Sequence, residues 1–350
     1  MGKHNEEKKK SKGLKIFLRV LLILLIIIVI LAGIAVGYVT NKLGKITVEE
    51  IDETAIGIDE ETQERLSGYR NIALLGIDSR ADDYGVGKRS DCIIIASLDE
   101  NTKQIRLISV YRDTYMQIEE KGKQVLDKVT HAYAYGGAQN TLKALNTNLD
   151  LNITEYVTVN FDAVISAVDA MGGVTINIDS SEIKYINDYI DATSQSSGVS
   201  SSHITKTGSQ TLDGVQAVAY SRIRYTAGGD YKRTERMRTV IEAMLNKAKT
   251  LSISQLNKLI DTVLPRVSTN ISSAEILGLV PSIASYDITD SLGWPYKTEG
   301  ITLDRWYGVP VTLESNVLQL HQEVFGQTDY VVNDTIKNIS QQIINKTGKK

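Results

Sequence analysis

Four charged residues stand at the ends of three consecutive apolar runs. Asp78 follows residues 71–77 (NIALLGI), Asp91 precedes residues 92–98 (CIIIASL), and Arg112 and Asp113 follow residues 104–110 (QIRLISV). Runs of this length and Ile/Val content predict buried strands. Strands that alternate up, down and up bring all four side chains to the same end of a sheet. The loop 79–90 closes above them and adds Arg80 and Arg89. Carboxylates grouped at a sheet edge suit a hard cation such as Mg2+, which binds through one or two of them and shares the rest of its shell with water and substrate phosphates. A lone Asp at a strand end is ordinarily a turn or cap residue; the grouping carries the expectation.

A second set of cations follows. Arg222-Ile223-Arg224, if extended, places both guanidinium groups on one face and Ile223 on the other. Arg233 lies four residues before Met237 and shares its inward stripe, which continues through Val240, Ile241, Met244, Leu245 and Ala248 on a helix expected over 234–249. A cation at the top of such a stripe points between helix and sheet. Arg keeps its charge in poorly hydrated sites and grips phosphate through paired N–H donors. Arg236 and Arg238 open the same helix and leave a plainer reading available, as solvated surface cations.

Other chemistries find little support. The four His (His4, His131, His203, His321) lack zinc-type spacing. Cys92 sits inside an apolar strand and reads as core rather than nucleophile. There is no G-x-S-x-G elbow and no P-loop. Tyr133, Tyr135 and Tyr225 are suited to stacking on sugars, or equally to core packing.

These residues need a scaffold, and strands interleaved with helices supply one: an α/β fold, a sheet with helices packed on it. Residues 99–103 read as a turn. Further strands are expected at 156–160 and 174–178. Helices are expected near 60–66, 138–148, 161–171, 213–219, 253–263 and 273–283, the third stopping at Gly172-Gly173. Residues 220–225 follow the helix at 213–219. Residues 194–202 are Ser-rich and read as an exposed loop.

The 350 residues carry a net charge of −3, which is uninformative until it is divided. The first 20 residues hold seven Lys or Arg against two Glu, a net +5, leaving −8 for the rest. That acidity argues against simple nucleic-acid binding. Residues 20–40 form a 21-residue run without a formal charge, long enough to span a bilayer core of about 30 Å and too long for a signal-peptide apolar region. The cationic flank precedes it entirely, so the positive-inside rule puts residues 1–19 in the cytoplasm and the body outside. The expected organisation is a basic tail (1–19), one transmembrane helix (20–40), an extracellular linker (41–68), a core (69–249), the C-terminal part of the same domain (250–327) and a tail (328–350). A single Cys excludes an intrachain disulfide, which fits an envelope without strong oxidative folding, such as that of a Gram-positive cell.

Taken in order, GIDSR (76–80), RSD (89–91), SVYRDTY (109–115), KVTHAYAYGG (128–137), VDAMGGV (168–174), LDGVQAVAYSRIR (212–224) and GDYKRTERMR (229–238) resemble the LytR–CpsA–Psr family of envelope proteins. The resemblance covers about residues 71–249. It implies an αβα sandwich with a central mixed β-sheet and an apolar groove for a polyprenyl chain. It implies a membrane-anchored phosphotransferase that moves a glycopolymer (teichoic acid or capsule polysaccharide) from undecaprenyl pyrophosphate to peptidoglycan, with pyrophosphatase action as a side activity. By position, Asp78 and Asp91 match the residues associated with Mg2+, or Mn2+ in its stead, and with Arg112 the catalytic set. Arg80, Arg89, Arg112, Arg222, Arg224 and Arg233 match those that hold the pyrophosphate. Met237 departs from the family pattern, which has Gln there, and Tyr111 and Thr130 replace Pro and Asn. The hydroxyl proton would pass to Asp78, Asp91 or Asp113. A non-catalytic lipid-pyrophosphate scaffold is the alternative; a transcriptional regulator fits poorly, because the expected cytoplasmic part has no helix-turn-helix.

Overall fold

The computed structural model describes residues 47–79, 83–272, 275–276, 278 and 285–350. The basic head, the apolar run 20–40, Arg80 and most of the helix expected at 273–283 lie outside the described residues. Among the described residues no helix is long and apolar enough to cross a membrane.

The three strands expected from the apolar runs are present: β2 (Tyr69–Ile77), β3 (Ser90–Asp99) and β4 (Gln104–Val110). Both partners of β3 run antiparallel to it, as the alternating layout requires. β7 (Glu155–Val159) adds parallel to β2 and β11 (Asp287–Trp294) adds parallel to β4. β10 (Val267–Thr269) and β1 (Thr47–Val48) complete a seven-stranded mixed sheet in the order β1-β10-β7-β2-β3-β4-β11. Ile93, Ile94 and Ile95 are all buried, because this sheet is covered on both faces and its central strands need no polar side.

One face packs under α2 (Thr130–Leu149), α8 (Leu313–Phe325) and α9 (Asp334–Thr347), where Ala73, Leu75 and Ile77 meet Leu142, Leu145 and Ile336. On the other face Ile94, Ala96 and Leu107 share a cluster with Ile241 of α6 (Gly229–Ala248). A second core gathers α3 (Phe161–Ala170), α4 (Ser180–Ser197) and α5 (Gly214–Arg222) around the hairpin of β8 (Val174–Ile178) and β9 (Gly208–Leu212). α7 (Ile253–Val263) and α1 (Glu60–Arg65) fall where the sequence places helices.

Several expectations change. The segment read as a linker contains β1, paired with β10, and α1, whose buried Thr62 donates its hydroxyl to Asp150 over 2.6 Å. The segment read as a tail contains α9, with Ile336, Ile339 and Ile343 buried in the main core. The Ser-rich loop begins inside α4, which runs to Ser197; its polar sequence is anchored by a capping box at Asp179 and Glu182 and by buried Ile186 and Ile190. The hairpin β5 (Tyr115–Glu120) and β6 (Lys123–Lys128) turns through Lys121 and Gly122, both at positive φ. α2 starts earlier than expected and is kinked at Gly136 and Gly137, whose backbone is not helical. A last hairpin, β12 (Thr298–Thr302) and β13 (Trp306–Pro310), lies against the loop after β4 through a hydrogen bond from the Gly308 amide to the Asp113 carbonyl, 3.0 Å.

Candidate active site

Between the sheet and α3, α5, α6 and α7 lies a cavity of about 690 Å³. Its long walls are apolar, formed by Leu74, Val157, Ala163, Val164, Ile241 and Met244 among others. Its other end is charged: Asp78, Arg89, Asp91, Arg112, Arg222, Arg224 and Arg233 all line it. Of the residues expected to hold the metal or the pyrophosphate, only Arg80 is missing from this lining, because it lies outside the described residues.

Asp91 reaches the cavity by a local irregularity. Gly76 pairs with Cys92 and Ile77 with Ser90, so the ladder slips and Asp91 is the extra residue of a β-bulge. Alternation would send Asp91 and Cys92 to opposite faces, yet both line the cavity. The bulge re-aims the carboxylate. Gly76 is required opposite it, since a Cβ there would fall 2.8 Å from Cys92 Cβ. Asp91 Oδ1 accepts a hydrogen bond from Arg112 Nη1 at 2.7 Å, and its other oxygen lies 4.0 Å from Arg224 Nη2.

Arg112 is the hub. Its Nε lies 3.5 Å from Asp113 and 3.6 Å from Asp230. Burial alone would lower its pKa, but Asp91, Asp230 and Asp113 outweigh burial and raise it. Its Nε is buried without a hydrogen-bond partner among the described residues, as is that of Arg233, so the site holds unspent N–H donors. The loop carrying Arg112 is braced from behind. The Thr130 amide donates to the Arg112 carbonyl over 3.1 Å, and Lys128 Nζ bonds Asp113 at 2.7 Å.

Arg222 is not in an extended segment, as the sequence suggested, but is the last residue of α5, with Ile223 as the cap. α5 therefore continues into the stretch read as following it. The Arg222 guanidinium sits over the rings of Phe161 and Tyr189 (5.2 and 5.6 Å) and bonds Thr193 at 2.8 Å. Burial lowers its pKa, with Asp78 opposing. Arg236 and Arg238 are buried, against the surface reading. Arg236 bonds Glu182 (2.7 Å), the Ile223 carbonyl (3.1 Å) and Thr226 (2.7 Å), and so fixes the turn that carries Arg222 and Arg224. Arg238 bonds Ser291.

Asp230 is the residue that sequence reasoning missed. It opens α6, where a carboxylate complements the helix dipole. It faces three of the expected anion-binding cations: Arg233 Nη2 at 3.0 Å, Arg112 Nε at 3.6 Å and Arg224 Nε at 3.7 Å. Burial raises its pKa, countered by Arg112 and Arg224. The signal was available, as an Asp just after Gly228-Gly229 and three residues before Arg233. Met237 lines the cavity one turn beyond Arg233. Cys92 also lines it, and burial, reinforced by Asp91, pushes its thiol to about 12, which keeps it protonated. Tyr133 is buried and donates to the Tyr84 carbonyl, a structural bond. Among the described residues, no three His, Cys, Asp or Glu gather to hold a metal by themselves.

Residues 36–309, most of the chain, match the LytR_cpsA_psr family. The chain belongs to that family. Its relatives include Enterococcus faecalis polyisoprenyl-teichoic acid–peptidoglycan teichoic acid transferase TagU, 36% identical over 58% of this chain and 61% of that protein. The like-named transferase TagT of Bacillus subtilis is 29% identical over 86% of this chain and 93% of its own. The match to TagU thus spans about three fifths of that relative's length. Among solved structures, one described as TagT bound to LIIa-WTA superposes with a TM-score of 0.55, at 23% identity over 86% of this chain and 97% of that one. The Streptococcus agalactiae protein gbs0355 gives 0.62, at 24% identity over 79% and 94%. These two likenesses show the family's fold: the seven-stranded mixed sheet and its helical layers.

Proposed function

We propose that this family member transfers a glycopolymer of the teichoic acid class from a polyprenyl pyrophosphate to peptidoglycan. One observation carries the reading: a single cavity that is apolar along its length and crowded with Arg at one end matches a lipid chain that ends in pyrophosphate. The names of TagU and TagT support the polymer and acceptor classes. On this reading residues 20–40 anchor the chain in the cell membrane, with the N-terminus cytoplasmic and the body outside, as the charge division favours.

Arg112, Arg224 and Arg233 bind the pyrophosphate oxygens, and Arg222 holds the lipid-side phosphate near its aromatic pair. Their charges stabilise what builds up on the equatorial oxygens as the phosphoryl group transfers. Asp78 and Asp91 are hard oxygen donors on the cavity wall, and two such carboxylates with substrate phosphates fit Mg2+ better than a protein-only site would. When bound, that ion supplies charge neutralisation on the phosphate oxygens. A sugar hydroxyl of the acceptor forms a new P–O bond to the polymer-bearing phosphorus. The bond to the lipid phosphate breaks, polyprenyl phosphate leaves, and a carboxylate at this edge takes the hydroxyl proton. The apolar walls exclude water and so favour transfer over hydrolysis.

The test is incubation of purified protein with a defined lipid-linked polymer, peptidoglycan oligomers and Mg2+, with the products read by mass spectrometry. Phosphodiester-linked product should form with wild type and vanish with Arg112→Ala. Unchanged transfer by folded Arg112→Ala would overturn the assignment. Met237 gives the scaffold reading its one support, because Met offers no hydrogen-bond donor to phosphate; donor binding without any Mg2+-dependent turnover would establish it.

A further inference from the structure

The outer face of the β12–β13 hairpin has a construction that the site described so far does not use. The cross-strand pairs Thr298–Pro310, Gly300–Gly308 and Thr302–Trp306 share that face. The Trp306 indole lies across the two glycines. A Cβ at Gly300 would meet its Nε1 at 2.8 Å, and one at Gly308 would lie 3.6 Å from its outer ring carbon. One ring face is thus seated on a glycine floor, while the side chain remains 45% exposed. The same Gly308 position lies 3.8 Å from the Asp113 carbonyl, and Gly308 bridges to Thr114. The platform is therefore continuous with the loop of Arg112 and Asp113. Across it stands Tyr231, 41% exposed, beside Thr298 and edge-on to Tyr111 at 4.5 Å. Tyr231 directly follows Asp230.

We propose that this platform, centred on Trp306 and flanked by Tyr231, seats the acceptor glycan. A pyranose ring has an apolar C–H face and a rim of hydroxyls. It matches an aromatic face bordered by Thr298, Thr302 and a Tyr hydroxyl. A lipid surface or a second protein would call for a larger unbroken apolar patch than one indole among Thr and Gly. The position also serves the chemistry, because the platform adjoins the Arg112–Asp113 loop and Tyr231 follows Asp230, so a sugar stacked here lies beside the charged end of the cavity. The proposal rests on the transferase reading for the identity of the glycan.

The chain has two Trp, and the other, Trp294, is fully buried. A change in intrinsic fluorescence on adding sugar therefore reports on Trp306, because Trp294 is shielded from it. The probe is a soluble tetrasaccharide of alternating N-acetylglucosamine and N-acetylmuramic acid, titrated into the full chain in detergent without any donor. A saturable emission change is expected in wild type. In the transfer assay Trp306→Ala should raise the acceptor KM about tenfold, with Trp306→Phe closer to wild type and inorganic pyrophosphate binding unchanged in both. No emission change at millimolar sugar, or an acceptor KM unaltered by Trp306→Ala, overturns the proposal. Sugar binding through Trp306 in a protein that transfers nothing would keep the platform and remove the transferase reading. Transfer that is indifferent to Trp306→Ala would do the reverse.

Discussion

Asp230→Asn tests whether the cation cluster is a preformed anion site. Its carboxylate lies 3.0, 3.6 and 3.7 Å from Arg233, Arg112 and Arg224, where a pyrophosphate oxygen would sit. Unit charges about 4 Å apart interact by about 4 kcal/mol at an effective dielectric of about 20. The Asp230 side chain is 33% exposed, so solvent screening brings each contact toward about 1 kcal/mol or less. Three contacts give about 2 kcal/mol in all, a factor of about 30 in affinity. Asn keeps the shape and removes the competing charge. Inorganic pyrophosphate should therefore bind Asp230→Asn about 30-fold more tightly than wild type in Mg2+-free calorimetry. The folded protein should lose a little stability, because α6 loses an N-terminal charge worth about 0.3–1 kcal/mol. Equal or weaker pyrophosphate binding would refute the reasoning and make Asp230 part of the grip, holding Arg233 in place.

Other outcomes follow from the same geometry. Met237→Gln places a donor one turn beyond Arg233 and should tighten pyrophosphate binding measurably; no change would mean that position 237 touches only the lipid. Arg236→Ala leaves Glu182 buried without its counter-charge, and should lower stability in urea denaturation by about 3–5 kcal/mol. His321 donates from Nε2 to the Leu149 carbonyl at 2.9 Å and stacks on Tyr330 at 3.8 Å. Burial lowers its pKa from 6.5, so below about pH 6.5 the unfolded state binds the extra proton. Stability should therefore fall as pH drops through that window and return above it, and His321→Asn should flatten the slope in denaturation followed at several pH values.

The sheet edge was legible because three apolar runs with short connections leave few ways to alternate, and Asp78, Asp91 and Arg112 mark their ends. The extents of β8 and α7 could be read from the sequence, since Val174–Ile178 follows two glycines and Ile253–Val263 opens on a Ser252 cap. What was hidden depends on contacts distant in sequence. The inward aim of Arg236 depends on Glu182, 54 residues away. α4 was hidden because its buried side is only a few residues wide, and β5–β6 because adjacent apolar residues, Tyr115-Met116 and Val125-Leu126, break the alternation expected of strands. Asp230 acquires its role from Arg112, which lies on another element.

The slip at Gly76 and Ile77 has a consequence for how this chain tolerates change in length. Loops ordinarily absorb gained or lost residues, and the stretch before Ser90 has room to do so. From Ser90 to Cys92 the count itself is information. Removing Ser90 would restore an even ladder and carry Asp91 to the opposite side of the sheet, while every residue that lines the cavity is kept. The carboxylate is specified by a reading frame of two along the strand as much as by its own identity, and a one-residue deletion would act on it as a frameshift acts on a codon.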